Sequence, residues 1–229
     1  MRLLIVTAVP AERDAVIAGL SRNPRASSWS TEVVAVGVGP AAAAAATARL
    51  IALAEARGAA FDAVLSAGIA GGFVGRVEVG DVVLATRSVA ADVGAESPNG
   101  FLPLPALHLP SVPTPPWLAG TVADQVTATV PLECPLAHRG AILTLATVTG
   151  TAVTAATLAE RHPDALAEAM EGFGVAAAAV QAGLRFGEVR TISNPIGPRD
   201  RSTWRLEHAL SMLTSAFSTV SLNSSEEGI

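Results

Sequence analysis

The feature that most constrains the fold is a series of short, uninterrupted apolar runs, each followed by a turn and a helix-forming segment. A run without polar alternation is typical of a strand that is buried on both faces of a sheet. We predict strands at 3–6, 31–36, 63–66, 82–85, 141–147, 166–170 and 188–192. We predict helices at 41–57, 153–161 and 173–184, and a last one from Leu206 to Val220 on the i, i+3, i+4, i+7 spacing of its apolar residues. This alternation predicts an α/β fold with a largely parallel sheet.

Glycine and proline mark the places where we expect the chain to leave regular structure. The glycine-rich segments 37–39 and 68–72 are predicted loops whose backbone a ligand could approach closely. The stretch 97–116 carries seven prolines and is predicted to be irregular. We find no linker or internal repeat, and therefore predict a single domain over 1–222 with a flexible polar tail over 223–229.

Composition excludes several classes of function. All 15 basic residues other than histidine are arginine, which excludes Schiff-base lysines and Walker A phosphate loops. Tyrosine is absent, so no tyrosine can act as a catalytic acid. The net charge of −5, without a basic stripe, argues against a nucleic-acid partner. The lone Cys134 and four scattered histidines argue against a metal site.

The same composition bears on location and assembly. Mean hydropathy is +0.46, yet we find no apolar run long enough to span a membrane, and we expect no membrane partner. The start of the chain does not resemble a signal peptide, so we expect a cytoplasmic protein. Charged residues are only 15% of the chain, which favours a buried subunit interface and hence a homodimer or higher homo-oligomer.

Two carboxylates occupy positions that suit catalysis. Glu12 follows the first strand and lies in the first turn of a helix that begins near Pro10, where it is either a general base or a residue that merely stabilises its helix. Glu171 lies between an apolar run and Gly172, where it either accepts hydrogen bonds from a diol or is a solvated turn residue.

An amide and a glycine pattern leave further alternatives open. Asn194, between Ser193 and Pro195 and just after a predicted strand, is either a ligand contact or part of a turn. The pattern from Gly37 to Ala42 partly matches the dinucleotide fingerprint. It follows the second strand rather than the first, and only Asp62 lies near the position of a ribose-binding acid.

Eight segments together resemble one known superfamily. They are LIVTAVPAE at 4–12, VGVG at 36–39, SAGIAGG at 66–72, VGDVV at 79–83, ADVGAE at 91–96, TGT at 149–151, MEG at 170–172 and ISNPIGPRDR at 192–201. In this order and spacing they resemble the nucleoside phosphorylase/nucleosidase superfamily. Segments 9–12, 92–96 and 193–201 resemble, more narrowly, its futalosine hydrolases. The resemblance implies a three-layer α/β/α sandwich around a twisted, mixed central sheet.

The resemblance also implies roles for individual residues. Glu12 aligns with the base that activates water, and Asn194 with an aspartate that assists protonation of the purine in adenine-releasing relatives. Glu171 and Met170 align with the ribose site. Val153, Ser193 and Asn194 align with the purine site, and Ala70, Gly71 and Gly72 with its backbone contacts.

The departures from the family pattern are informative. Phosphorylases carry a Gly-Asp-Pro turn where this chain has Thr7-Ala8-Val9-Pro10, which favours water over phosphate as the nucleophile. The amide of Asn194 can donate to the N7 and O6 acceptors of hypoxanthine, whereas a carboxylate would repel O6. A guanidinium suits a carboxylate ligand, so we expect Arg199 or Arg201 to bind the benzoate of the substrate, unless both are simply solvated.

The reaction expected from this resemblance is hydrolysis of futalosine to hypoxanthine and dehypoxanthine futalosine, a step of menaquinone biosynthesis. It needs no metal or organic cofactor, and its partner is a small-molecule purine nucleoside. One alternative is a methylthioadenosine/adenosylhomocysteine nucleosidase or another purine nucleoside hydrolase. An alternative of another class is a non-catalytic nucleoside-binding protein.

Overall fold

The computed structural model describes residues 1–109, 123–135 and 137–222. The strands are Arg2–Thr7 (β1), Ser30–Ala35 (β2), Ala63–Gly72 (β3), Val82–Ala90 (β4), Gly94–Ser97 (β5), Gly100–Pro103 (β6), Gln125–Thr127 (β7), Leu132–Glu133 (β8), His138–Thr144 (β9), Ala165–Ala169 (β10), Arg185–Pro195 (β11) and Ser221–Leu222 (β12). The α-helices are Pro10–Leu20 (α1), Pro40–Ala56 (α2), Ala152–Arg161 (α3), Gly172–Gln181 (α4) and Leu206–Thr219 (α5). Short 3₁₀ helices lie at Pro24–Ser28, Leu104–Leu107 and Arg201–Thr203.

The main sheet is mixed and partly closed on itself. Its strands run in the order β10-β9-β4-β11-β3-β1-β2, with β7 added beside β4. β11 is parallel to β3 but antiparallel to β4, and β10 is parallel to β9. β10 also pairs with β3 in antiparallel fashion, so that β3, β11, β4, β9 and β10 form a closed ring. β1 and β2 extend this ring as an open parallel wing.

Helices cover both faces of the sheet, as expected for a three-layer sandwich. Val16 of α1 and Phe217 of α5 pack against β1 and β3 on one side. Ile51 of α2 and Val175 of α4 pack against the same strands on the other side. The predicted α/β class with a mixed central sheet is therefore confirmed. No helix within the described residues is long and apolar enough to cross a membrane.

The predicted loop at 68–72 is wrong, because these residues continue strand β3. A side chain at Gly72 would come within 2.8 Å of both Ile192 and Val77, and one at Gly71 within 2.4 Å of Ile196. Glycine here lets neighbouring segments pack against an extended backbone, rather than letting the chain turn.

The predicted irregularity of 97–116 is also wrong for its first part. β5 and β6 form an antiparallel hairpin, with Ser97 opposite Gly100. Pro98 lies in the turn between β5 and β6. Gly100, the first residue of β6, has a positive φ of 109°, which glycine adopts readily. Neither residue therefore interrupts the hydrogen bonds between the two strands. The prolines from Pro110 onward and the predicted tail over 223–229 lie outside the described residues.

Candidate active site

Glu12 points back over the end of β1 instead of out into solvent. One of its carboxylate oxygens accepts hydrogen bonds from the backbone N–H groups of Ala8 at 3.0 Å and Val9 at 3.2 Å. The other accepts from the N–H of Ile69 on β3 at 2.9 Å. The side chain is only 4% exposed. Three backbone donors, two just after β1 and one within β3, therefore fix this carboxylate in place.

Gly68 provides the room for this carboxylate. A methyl group on its Cα would lie 2.5 Å from Oε1 of Glu12 and 2.7 Å from Nη1 of Arg190. Both charged groups therefore lie over the bare backbone of β3 at the same point. No other residue type fits here without displacing one of them.

Arg190 is the centre of a buried cluster of charges. Its Nε donates to Glu188 at 2.9 Å, and its Nη2 donates to the hydroxyl of Ser66 at 2.9 Å. Its Nη1 lies 3.6 Å from Oε2 of Glu171. Burial alone would lower the pKa of Arg190, but the carboxylates of Glu188, Glu171 and Glu12 raise it above its ordinary value. The guanidinium therefore stays charged and compensates part of the surrounding negative charge.

Glu171 lies at the junction of β10 and α4. Its Oε1 accepts a hydrogen bond from the N–H of Gly39 at 3.1 Å, and the side chain is buried. The glycine-rich turn at 37–39 therefore closes onto this carboxylate, with positive φ at both Gly37 and Gly39. Met170 precedes it at the end of β10 and is partly buried.

Asn194 belongs to β11 and does not follow it, contrary to the sequence-based expectation. The hydroxyl of Ser193 lies 2.7 Å from Oδ1 of Asn194 and 3.1 Å from the carbonyl oxygen of Ala70. Nδ2 of Asn194 donates to the carbonyl oxygen of Pro195 at 3.0 Å, which uses one of its two protons. The amide orientation is thus set by its neighbours, and one N–H remains for a ligand.

A cavity of about 80 Å³ adjoins Asn194, and we call it the Gly71 cavity. It is lined by Gly71, Val148, Thr149, Glu168, Asn194, Pro195, Ile196, Gly197, Pro198, Arg199 and Trp204. Strand β3 connects it to the charged cluster, because Gly68 lies under Arg190 while Gly71 pairs with Asn194. Glu12 and Asn194, which belong to α1 and β11, therefore both contact β3.

Of the three remaining predicted contacts, one lines this cavity and two do not. Arg199 lines the Gly71 cavity and lies 5.0 Å from the ring of Trp204, whereas Arg201 lines a separate surface recess beyond that ring. Val153, a predicted purine contact, is 78% exposed at the start of α3 and is not part of the cavity wall. Both guanidiniums nevertheless lie against the ring of Trp204, that of Arg201 at 5.6 Å from the ring centroid.

Sequence reasoning missed Arg190, Glu188 and Glu168. Glu188 and Arg190 alternate within an apolar strand, which places both on one face, and Glu168 interrupts another apolar run. Charged residues inside buried strands are rare unless they are paired or functional. That signal was present in the sequence. Among the described residues, no group of three metal-ligating side chains could hold a metal ion.

Comparison with known proteins identifies the family of this chain. Residues 27–220 match the phosphorylase superfamily. The chain is 45% identical to a futalosine hydrolase of Streptomyces coelicolor, covering 94% of this chain and 93% of that one. It is 41% identical to a futalosine hydrolase of Acidothermus cellulolyticus, covering 96% and 90%.

A solved structure shows the same fold. The methylthioadenosine/adenosylhomocysteine nucleosidase of Colwellia psychrerythraea, in complex with adenine, matches with a TM-score of 0.69 at 22% identity, covering 97% of this chain and 98% of that one. The fold and the sequence match together place the chain in the phosphorylase superfamily. Within that superfamily, the chain belongs to the family of futalosine hydrolases.

Proposed function

We propose that this chain hydrolyses the N-glycosidic bond of futalosine and releases hypoxanthine and dehypoxanthine futalosine. Its high identity to futalosine hydrolases along nearly its whole length supports this function. One observation carries the argument from the site: Oε2 of Glu171 lies 3.6 Å from Nη1 of Arg190, and the carboxylate of Glu12 lies with the same Nη1 over Gly68. Two fixed carboxylates near one point suit a reaction that develops positive charge on a sugar.

The first element of the mechanism is activation of water. Glu12 takes a proton from the water as the oxygen forms its bond to C1′ of the ribose. Three N–H donors hold the carboxylate: Oε2 accepts two of these bonds, whereas Oε1 accepts one and keeps an acceptor position for the water. Arg190 lies beside Oε1 over Gly68 and is placed to orient the same water.

The second element is binding and stabilisation of the ribose. Glu171 accepts hydrogen bonds from the 2′- and 3′-hydroxyls while Gly39 holds its other side. As the bond between C1′ and N9 breaks, the ribose gains positive charge, which a nearby carboxylate stabilises electrostatically.

The third element is the leaving group. The electron pair of the broken bond goes to the purine, which takes up a proton from solvent water as it departs, while Glu12 returns to solvent the proton that it removed from the attacking water. Asn194 donates its remaining N–H toward N7 or O6, and its orientation is set by Ser193. An amide donor stabilises an oxopurine without placing a negative charge against O6.

The experiment that tests this function uses the whole chain with a panel of nucleosides. We expect futalosine to yield free hypoxanthine, detected by chromatography, at a rate that does not depend on added phosphate. Inosine, methylthioadenosine and adenosylhomocysteine are the comparison substrates. Faster release of adenine from either of the last two would favour a nucleosidase of that specificity, and binding without turnover of any substrate would favour a non-catalytic binding protein.

Two further properties remain proposals. We infer that the chain forms a homodimer or higher homo-oligomer, since Val74 and Val153 are 75% and 78% exposed in the single chain. Light scattering coupled to size-exclusion chromatography measures this directly, and a monomeric mass would contradict it. We also keep a cytoplasmic location as a proposal.

A further inference from the structure

Glu188 is a buried carboxylate to which the mechanism above gives no role. It lies in β11, two residues before Arg190, and its side chain is fully buried. Its Oε1 accepts a hydrogen bond from Nε of Arg190 at 2.9 Å. Burial raises the pKa of this carboxyl, although the nearby charge of Arg190 opposes the shift. Because a carboxylate is costly to bury so completely, its position calls for an explanation.

The sheet register explains which side chains hold Arg190. In the parallel ladder between β11 and β3, Glu188 lies opposite Ser66 and Arg190 lies opposite Gly68. Residues two apart on a strand share one face of the sheet with the residues they pair with. Nη2 of Arg190 therefore reaches the hydroxyl of Ser66 at 2.9 Å, while Nε reaches Glu188. Both nitrogens are thus bound by side chains of the sheet itself.

Nη1 is the nitrogen that faces the reacting groups. It lies 3.6 Å from Oε2 of Glu171 and 3.5 Å from the carbonyl oxygen of Ile69, and both distances are longer than those made by Nε and Nη2. It also lies with Oε1 of Glu12 over Gly68. The short bonds at Nε and Nη2 therefore orient the guanidinium, while Nη1 keeps donor capacity for the water.

The start of α4 leaves a fitted space for the carboxyl of Glu188. A methyl group on Cα of Gly172 would collide with both carboxylate oxygens of Glu188. Gly172 directly follows Glu171, so the same turn that presents Glu171 also encloses Glu188. A carboxyl enclosed in this way has little freedom to move. It can therefore act as a fixed acceptor that sets the orientation of the guanidinium.

Charge compensation alone does not explain why Glu188 is present. The buried carboxylates of Glu171 and Glu12 also raise the pKa of Arg190. A third carboxyl adds negative charge to a cluster that already holds two carboxylates for one guanidinium. What distinguishes Glu188 is its place at Nε, whereas the other two carboxylates lie near Nη1.

We propose that Glu188 is a positioning residue for Arg190. Its hydrogen bond to Nε fixes the plane of the guanidinium, so that Nη1 stays beside the carboxylates of Glu12 and Glu171 where water attacks. This inference rests on the proposed function, because the orientation of Nη1 affects the rate only if Arg190 orients that water. Without this acceptor, the guanidinium turns away from its place, and the water loses a donor.

The test separates the position of the Glu188 acceptor from its charge. Glu188→Asp keeps the charge but is one methylene shorter, so Arg190 must shift to keep the bond to Nε. Glu188→Gln keeps the length and an acceptor oxygen but removes the charge. Since a misplacement of about 1 Å can cost about 10²-fold, we expect kcat for futalosine to fall by about 10- to 100-fold in Glu188→Asp and by less than about 10-fold in Glu188→Gln.

Two further measurements distinguish positioning from a general loss of packing. The affinity for hypoxanthine, measured by calorimetry, should be unchanged in both variants, because neither Glu188 nor Arg190 lines the Gly71 cavity. Thr191→Val is the matched control on the same strand. The hydroxyl of Thr191 is buried and donates to the carbonyl oxygen of Ala209 at 2.8 Å, so its loss should lower stability without lowering kcat.

Each outcome decides the proposal. A folded Glu188→Asp variant with the kcat of the unchanged chain would overturn it. A loss of about 100-fold or more in Glu188→Gln would overturn it on its own, since charge rather than position would then matter. Hypoxanthine affinity that falls as much as kcat would reduce Glu188 to a packing role. If the unchanged chain hydrolyses futalosine and both variants match it, only the role of Glu188 fails. If the unchanged chain does not hydrolyse futalosine, the proposed function itself fails.

Discussion

The two ends of the candidate site bury carboxylates in opposite ways. At one end, Glu12, Glu171 and Glu188 surround Arg190, whose guanidinium compensates part of their charge. At the other end, Glu168 has only the hydrogen bonds of Thr149, and burial raises the pKa of its carboxyl despite them. The first arrangement fixes charged groups before a ligand arrives. The second leaves a carboxyl whose neutral form is favoured by its burial.

The largest effect is expected at the charged end. Glu12→Gln keeps the shape of the side chain but removes the base, so turnover of futalosine should fall by about 10² to 10⁴, the usual contribution of general base catalysis. Steady-state kinetics measure this loss, while hypoxanthine affinity should be retained. Glu55→Gln, an exposed change on α2, is the control and should be neutral. Nearly normal turnover of the Glu12 variant would show that Glu12 is not the general base.

At the Gly71 cavity, Asn194→Asp is expected to change substrate selectivity more than the stability of the fold. An ionised aspartate faces N7 and O6 of hypoxanthine without a proton to donate, while it can accept from N6 of adenine. The ratio of futalosine turnover to adenine-nucleoside turnover should drop by about 10² or more, since buried polar mismatches cost about 1–3 kcal/mol and act here on both substrates. The comparison is best made at pH 7 and above, where the aspartate is ionised. An unchanged ratio of the two turnover rates would show that Asn194 does not discriminate between the two purines.

The next prediction tests the position of the Glu12 carboxylate without changing any charge. Gly68→Ala adds no charge, but its methyl group would meet Oε1 of Glu12 at 2.5 Å and displace it. Small misplacements of catalytic groups can cost about 10²-fold, so we expect a loss in turnover of about 10- to 100-fold with the fold intact. Gly150→Ala is the matched control, because its methyl group meets only Cβ of Arg199, at 3.9 Å. Equal activity of the two variants would contradict the close approach over Gly68.

A smaller effect is expected for Arg199 and Arg201. If Arg199 or Arg201 pairs with the benzoate, alanine at that position should raise KM for futalosine by about 10-fold, as expected for a charged hydrogen bond. The placement of Arg199 on the Gly71 cavity makes the two single variants informative separately. Inosine lacks the benzoate, so its KM should not change. No change with futalosine in either variant would exclude the pairing.

The smallest expected effect is on stability against pH. The pKa of Glu168 is raised, mainly by burial and further by the charge of Asp92, although Thr149 opposes the shift. The folded chain therefore keeps a proton that the unfolded chain loses above its ordinary pKa near 4.5, and this contribution to stability falls as pH rises through the raised pKa.

Glu168→Gln removes that dependence, so the variant should gain stability relative to the unchanged chain as pH rises. The gain is about 1.4 kcal/mol for each unit of pKa shift. Denaturant unfolding of both chains from pH 4 to 8 measures the difference. A difference that stays constant across this range would mean that the Glu168 carboxyl titrates normally in the folded chain.

Much of the fold could be predicted from the sequence because its signals are local. The first apolar run lies within β1, and the spacing of Leu206, Leu213 and Phe217 gave the last helix. Glu12 and Glu171 could be located because strand-to-helix junctions have recognisable turn residues.

The remaining features depend on contacts between distant segments. The glycine-rich segment 68–72 looks like a loop until Ile192, Val77 and Glu12 are seen to pack against its glycines. The opposition of Glu168 and Asn194 depends on the strand order β10-β3-β11, which no local pattern encodes. Arg190 and Glu188 could be detected in the sequence as charges within an apolar strand. The contact of Arg190 with Glu171 could not be predicted, because it joins segments that are separate in the sequence.

The closure of the ring by β10 and β3 has a consequence for how the chain folds. β3 pairs with both β10 and β11, which are far from it in sequence, and bringing such distant segments together carries an entropic cost that slows folding. The wall that joins Glu168, Gly71 and Asn194 exists only after both of these pairings have formed. We therefore expect a refolding chain to regain most of its helical signal before it regains hypoxanthine binding. Adding hypoxanthine should slow unfolding more than it speeds refolding.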